Sequence, residues 1–110
     1  MALEPIDDDA VQGALERLSE TDEVHARAKA RLEAMRWTRK VLEGQAFLDA
    51  EGKSVAEREA RAASCQAVRA WIEDYENAWA DYQLLENQRG SDERIYELYR
   101  TMSANQRMGR

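Results

Sequence analysis

Asp22-x-x-His25 sets a carboxylate and the chain's single histidine one helical turn apart. Such a pair is half of a helical di-metal site, which needs a second carboxylate-x-x-His from another helix. No second histidine exists to supply it. Glu20-x-x-Glu23 and Glu73-x-x-Glu76 are carboxylate pairs one turn apart, and facing pairs of this kind could hold Mg²⁺ for phosphate chemistry. Folding the chain back on itself leaves these two pairs displaced by two turns or more, so neither a metal nor a cofactor is expected. Cys65, the lone cysteine, sits on an apolar seam with no activating neighbour and reads as a structural thiol. A Gly-rich phosphate loop, a Cys-x-x-Cys pair and a Gly-flanked serine nucleophile are all missing. No catalytic residue is therefore expected.

Binding chemistry is better represented. Arg36, Arg39 and Lys40 surround Trp37, a grouping in which cations could meet phosphates while the indole stacks on a base. Trp37 also fits an apolar helical stripe, and a net charge of -6 opposes general affinity for nucleic acid. Direct nucleic-acid binding is possible on this reading but not favoured. Trp71, Tyr75, Trp79 and Tyr82 line one helical face over three turns. Together with Trp37 they are the expected surface for self-association or a protein partner.

The elements that must position these residues are helices. The chain is 44% hydrophobic and 35% charged, with one Pro and five Gly, a composition that favours long helices over sheet. Its organising stretch is Ala50-Glu51-Gly52-Lys53-Ser54-Val55-Ala56-Glu57. Gly52 can take the left-handed conformation that ends a helix. Ser54 and Glu57 have capping-box spacing, with the hydroxyl on the Glu57 amide and the carboxylate on the Ser54 amide. A short turn of this kind makes its flanking helices antiparallel.

The expected order is a loose lead-in over 1–6, a first helical arm over 7–50, a turn over 51–54 and a second arm over 55–107. Asp7, Asp8 and Asp9 suit a helix start. Val11, Ala14, Leu15 and Leu18 recur at helical spacing. Ser19 or Thr21 could cap a fresh helix, and Gly90-Ser91 is a second candidate joint. The first arm carries two stripes on roughly opposite sides: Ala28, Leu32, Met35, Leu42, Ala46, and Ala30, Ala34, Trp37, Val41, Gly44, Leu48. One partner helix needs only one stripe, so neighbours are predicted on both sides. In the second arm Cys65, Val68, Ile72, Tyr75, Trp79 and Tyr82 step like a coiled-coil seam, widened by Ala67, Trp71, Ala78 and Leu85. If Ala50 faces Val55, then Ala34 lies near Trp71, Trp37 near Val68 and Ala30 near Tyr75. Ile95, Leu98, Tyr99 and Met102 carry the last helix to about Gln106, with a frayed end beyond.

Charge follows the same plan. A basic block of Arg27, Lys29, Arg31, Arg36, Arg39 and Lys40 would overlap an acidic one of Glu73, Asp74, Glu76, Asp81 and Glu86. The acidic start would lie beside Arg94, Arg100 and Arg107. Such pairs orient antiparallel helices more than they stabilise them.

The expected fold is all-α: an antiparallel long-helix hairpin, coiled-coil-like, with shorter terminal helical segments, completed by oligomerisation because a two-helix hairpin is marginal alone. An isologous dimer is the simplest form. No apolar run approaches membrane-spanning length, the acidic start is unlike a signal peptide, and one cysteine fits a reducing compartment. A cytoplasmic protein is expected.

Leu48-Asp49-Ala50-Glu51-Gly52-Lys53-Ser54-Val55-Ala56-Glu57-Arg58-Glu59-Ala60-Arg61-Ala62 and the ending Arg100-Thr101-Met102-Ser103-Ala104-Asn105-Gln106-Arg107 resemble small helical proteins of tailed bacteriophages and prophages. In that group an "AEGK-S-AER-A" turn joins two long helices. The resemblance covers about residues 40–107 and carries over no catalytic residues. It implies a host-cell cytoplasm and a neighbourhood of early replication or recombination genes. The expected function is that of a non-enzymatic phage accessory protein acting by protein–protein binding in DNA replication or recombination. An alternative is an anti-defence, anti-CRISPR-like inhibitor whose acidic helical faces imitate nucleic acid. A second alternative is a Mg²⁺-dependent all-α nucleotide pyrophosphohydrolase.

Overall fold

The computed structural model describes residues 6–109. They form three helices: α1, Asp8–Asp49; α2, Val55–Ala63; and α3, Gln66–Met108. The all-α helical hairpin is the fold, with no strand among the described residues. The lead-in, up to residue 5, lies outside the described residues. Asp7 opens α1 by accepting the Ala10 amide at 2.7 Å, as an N-cap carboxylate does.

The chain divides into two compact units. One is Arg27–Tyr82; the other joins α1 up to Ala26 with α3 from Gln83 onward. The first is called the turn unit here and the second the terminal unit.

In the turn unit, residues 50–54 carry the reversal. Ser54 Oγ accepts the Glu57 amide at 3.1 Å, as its spacing predicts. The other half of the box shifts by one residue: Glu57 Oε2 accepts from the Lys53 amide, not that of Ser54. Gly52 does not take a left-handed φ. Its use is steric, since an added Cβ would come within 3.1 Å of Arg58 Cγ and 3.3 Å of the Glu57 side chain. The end of α1 is closed by Arg58 instead. Its Nε donates to Ala50 O at 3.2 Å and its guanidinium lies 4.9 Å over the Phe47 ring. α1 has no basic residue in its own last turn, so Arg58 supplies the positive charge that a helix C-terminus favours.

The turn unit's core is Leu32 on α1, Ala62 on α2, and Val68, Trp71 and Ala78 on α3. Ala28, Met35, Leu42 and Ala46 are half-buried beside Leu32, so the first α1 stripe is the packed one. The α3 seam differs from the expected one. Val68, Trp71, Tyr75, Ala78 and Tyr82 turn inward, while Ile72 and Trp79 are exposed. Both series step by threes and fours, and Trp71 decides between them. It has more surface to bury than Ile72, and its indole N–H reaches Met35 O at 2.8 Å.

That contact also moves the register. Trp71 meets Met35 and Arg39, and Trp37, expected against Val68, is 70% exposed. The expected register requires one continuous helix after Val55. A break at Ser64-Cys65 separates α2 from α3, so residue counting across it no longer measures distance along one axis.

The terminal unit packs Val11 and Ala14 of α1 and Asp92 of α3, with Leu18, Thr21, His25, Leu85, Arg89, Tyr96 and Tyr99 half-buried. Neither candidate joint breaks a helix: α1 is continuous through Ser19-Asp22 and α3 through Gly90-Ser91. Thr21 Oγ1 donates to Arg17 O and Ser91 Oγ donates to Asn87 O. Each hydroxyl is thus satisfied inside its own helix rather than capping a new one.

Candidate partner-binding faces

Among the described residues nothing covers the second α1 stripe. Ala30, Ala34, Trp37, Val41, Gly44 and Leu48 are all exposed, with Trp37 at 70%, Val41 at 59% and Leu48 at 73%. The helix is apolar on two faces and packs one of them, so the neighbour predicted for the other side is not among the described residues. At its far end the stripe runs into a groove lined by Gly44, Phe47, Ala62 and Ala63 and edged by Lys40, Glu43 and Glu59.

The basic trio splits. Arg36 Nε donates to Tyr75 Oη at 3.2 Å. Arg39 donates to Glu43 at 2.8 Å and its guanidinium lies 5.0 Å from the Trp71 ring centroid. Both cations therefore brace the aromatic row of α3. Lys40 stays over Trp37, its ammonium 4.9 Å from that ring. Arg36, Trp37 and Lys40 line one groove together with Glu33.

The aromatic row itself is internally stacked. Trp71 and Tyr75 are parallel at 4.6 Å, Tyr75 meets Trp79 edge-on at 6.5 Å, and Trp79 meets Tyr82 edge-on at 5.8 Å. Trp71 is 7% exposed and belongs to the core. Of the five residues expected to take a partner, Trp37 and Trp79 are exposed, and Tyr75 and Tyr82 are half-buried. The Arg36 guanidinium holds the Tyr75 hydroxyl below the usual tyrosine range, since it stabilises the phenolate.

Glu73, Asp74, Glu76 and Asp81 stand exposed on the solvent side of α3, and among the described residues none is drawn into an ion pair. Arg36 and Arg39 of the basic block thus do not pair with these carboxylates, because they turn to aromatic rings. Likewise Asp8 meets the Tyr99 hydroxyl at 2.6 Å rather than Arg94, Arg100 or Arg107. The Asp8 carboxylate raises the Tyr99 pKa, since a proton between them relieves the meeting of two anions.

A polar network in the terminal unit went unread in the sequence. Arg17 Nε and Nη2 both donate to Asp92 Oδ1, at 3.0 and 2.9 Å. Arg89 donates to Leu18 O, Thr21 Oγ1 and Asp22 Oδ1 at 2.8, 2.7 and 2.6 Å. His25 Nε2 lies 2.5 Å from Glu86 Oε2. The signal was present: Tyr82, Leu85, Arg89, Asp92 and Tyr96 continue the α3 seam at steps of three and four. A search for apolar residues passes over it.

His25 is thus in a cross-helix contact. Among the described residues no cluster of three or more His, Cys, Asp or Glu has the arrangement of a metal site. Cys65 is half-buried in the break between α2 and α3. Among the described residues no helix is long and apolar enough to cross a membrane.

No protein family, curated protein or solved structure matches the chain.

Proposed function

We propose that this chain is a non-enzymatic phage accessory protein that works by protein–protein binding in the cytoplasm of the host, in phage DNA replication or recombination. The observation that carries the binding reading is the outer stripe of α1, where Trp37, Val41 and Leu48 lie exposed at coiled-coil spacing. Scattered exposed apolar residues are ordinary, but a continuous row along one helix is a contact surface. The phage setting comes from the resemblance around Gly52 and at the Arg-rich end.

Pull-down from infected cells tests the reading, with wild type beside Trp37→Asp. A phage or host protein of DNA metabolism, retained by wild type and lost by the variant, is the expected result. Equal retention by both, or retention of no such protein, contradicts it.

One observation favours the anti-defence alternative. The row Glu73, Asp74, Glu76 and Asp81 presents uncompensated carboxylates along the solvent side of α3, which a basic nucleic-acid channel would attract. Under that reading, charge reversal to Lys at Glu73 and Glu76 releases a captured nuclease, while Trp37→Asp does not.

A further inference from the structure

We infer that a second copy of this chain covers the outer stripe of α1, the two α1 helices running antiparallel about a two-fold axis beside residue 39. This rests on the binding reading above and makes the second copy the occupant of that face, the paired form being what holds the DNA-metabolism protein. The spacing Ala30, Ala34, Trp37, Val41, Gly44, Leu48 is that of a coiled-coil seam, and all six residues are exposed.

The order of sizes along the stripe selects the direction. With the axis at residue 39, Ala30 meets the second copy's Leu48 and Trp37 meets the second copy's Val41. Ala34 meets the second copy's Gly44, whose missing Cβ leaves open space for a backbone to approach. Large residues then face smaller ones, and the small pair lets the helices close around the indoles. A parallel pairing sets Trp37 on Trp37 and Gly44 on Gly44, a bulge beside a void.

Charge selects the same direction. Arg31 and Asp49 stand exposed on one flank of the stripe, five turns apart. Antiparallel pairing sets Arg31 against the second copy's Asp49, and the symmetry repeats the contact. In a parallel pair this flank would face the opposite flank of the second copy, and Arg31 and Asp49 would not meet. Lys40 meets its own copy near the axis, a like-charge contact that opposes this pairing, with each ammonium held over a Trp37 ring. The surface is thereby self-complementary, as an isologous dimer requires, and a foreign helix would have no reason to show this mirrored order.

Sedimentation of the full chain and paired cysteine cross-linking test the inference together. Wild type should sediment as a dimer that dissociates on dilution. Trp37→Glu should be monomeric with unchanged helix content, since the side chain makes no core contact. In a Cys65→Ala background, Ala30→Cys and Leu48→Cys chains should form a disulfide-linked dimer when mixed and oxidised. Neither should link to itself, because like positions lie roughly 27 Å apart at 1.5 Å per residue. Self-linking by each single variant overturns the antiparallel order, as does a wild-type dimer that Trp37→Glu leaves intact. A wild type that is monomeric throughout overturns the second copy as occupant. If that monomer still holds a DNA-metabolism protein through Trp37, the binding reading survives; if it does not, both fail.

Discussion

Trp71 shows what single side chains settle here. Its ring fills the contact between α1 and α3 in the turn unit, and its N–H reaches the Met35 carbonyl at 2.8 Å. Trp71→Phe keeps most of the ring and removes the donor. The expected loss is about 1 kcal/mol of unfolding free energy by urea titration. Trp71→Ala should lose about 3–5 kcal/mol. Equal effects would mean that the hydrogen bond, not the packing, holds the indole. Asp92 is 4% exposed and takes both donors of Arg17, whose own side chain is half in water. Asp92→Ala should lose about 1–2 kcal/mol, below the range for a fully buried pair because solvent screens the guanidinium.

Two tyrosines titrate apart for opposite reasons. Tyr75 falls below its ordinary value of 10.0 through Arg36, and Tyr99 rises above it through Asp8. A depressed folded pKa contributes stability above the unfolded pKa and loses it as pH falls through the folded one. A raised folded pKa contributes stability below the unfolded pKa and loses it as pH rises through the folded one. At neutral pH the Tyr99 contribution is therefore present and that of Tyr75 is not; above pH 10 they exchange. Absorbance at the phenolate band should show Tyr75→Phe removing a step that precedes the one Tyr99→Phe removes. The reverse order would refute both assignments.

At the scale of elements, the capped turn at Ser54 and the continuity of α3 make separable predictions. Ser54→Ala removes the hydroxyl that accepts the Glu57 amide and should destabilise the protein by about 1 kcal/mol. Gly90 lies inside α3 with open space where a Cβ would sit. Gly90→Ala should therefore stabilise by about 0.5–1 kcal/mol, through a less free unfolded chain. A loss at Gly90→Ala would mean that α3 bends or opens there.

These elements also show what the sequence made legible. The Ser54–Glu57 cap was readable because both partners lie within four residues. The inner stripe of Ala28, Leu32, Met35, Leu42 and Ala46 was readable because helical period alone defines it. The seam of α3 was read one residue off at Ile72 and Trp79, since two heptad phases fit and only a contact with Met35 separates them. The break at Ser64-Cys65 carries no Gly or Pro, and no local signal marks it. The Arg17, Arg89 and Asp92 network was hidden because long side chains reach a seam from positions that count as polar. The joints expected at Ser19 and Gly90 failed because Thr21 and Ser91 bond back into their own helices.

For the whole molecule, each unit sets its own requirement. The terminal unit orders its helices with paired polar groups at seam positions, an arrangement that specifies register at some expense of stability. The turn unit packs one side of α1 and leaves the other side apolar. The central claim is that this outer side is covered by a partner and that Trp37 is its anchor. Fluorine NMR of protein carrying 5-fluorotryptophan reads this directly, since each of the three indoles gives a separate resonance. The Trp37 resonance, assigned by Trp37→Phe, should lose its solvent isotope shift as protein concentration rises and regain it on dilution, while the Trp71 resonance shows little isotope shift throughout. A Trp37 resonance that stays solvent-exposed at every concentration, and also with the proteins of infected cells added, would contradict the account.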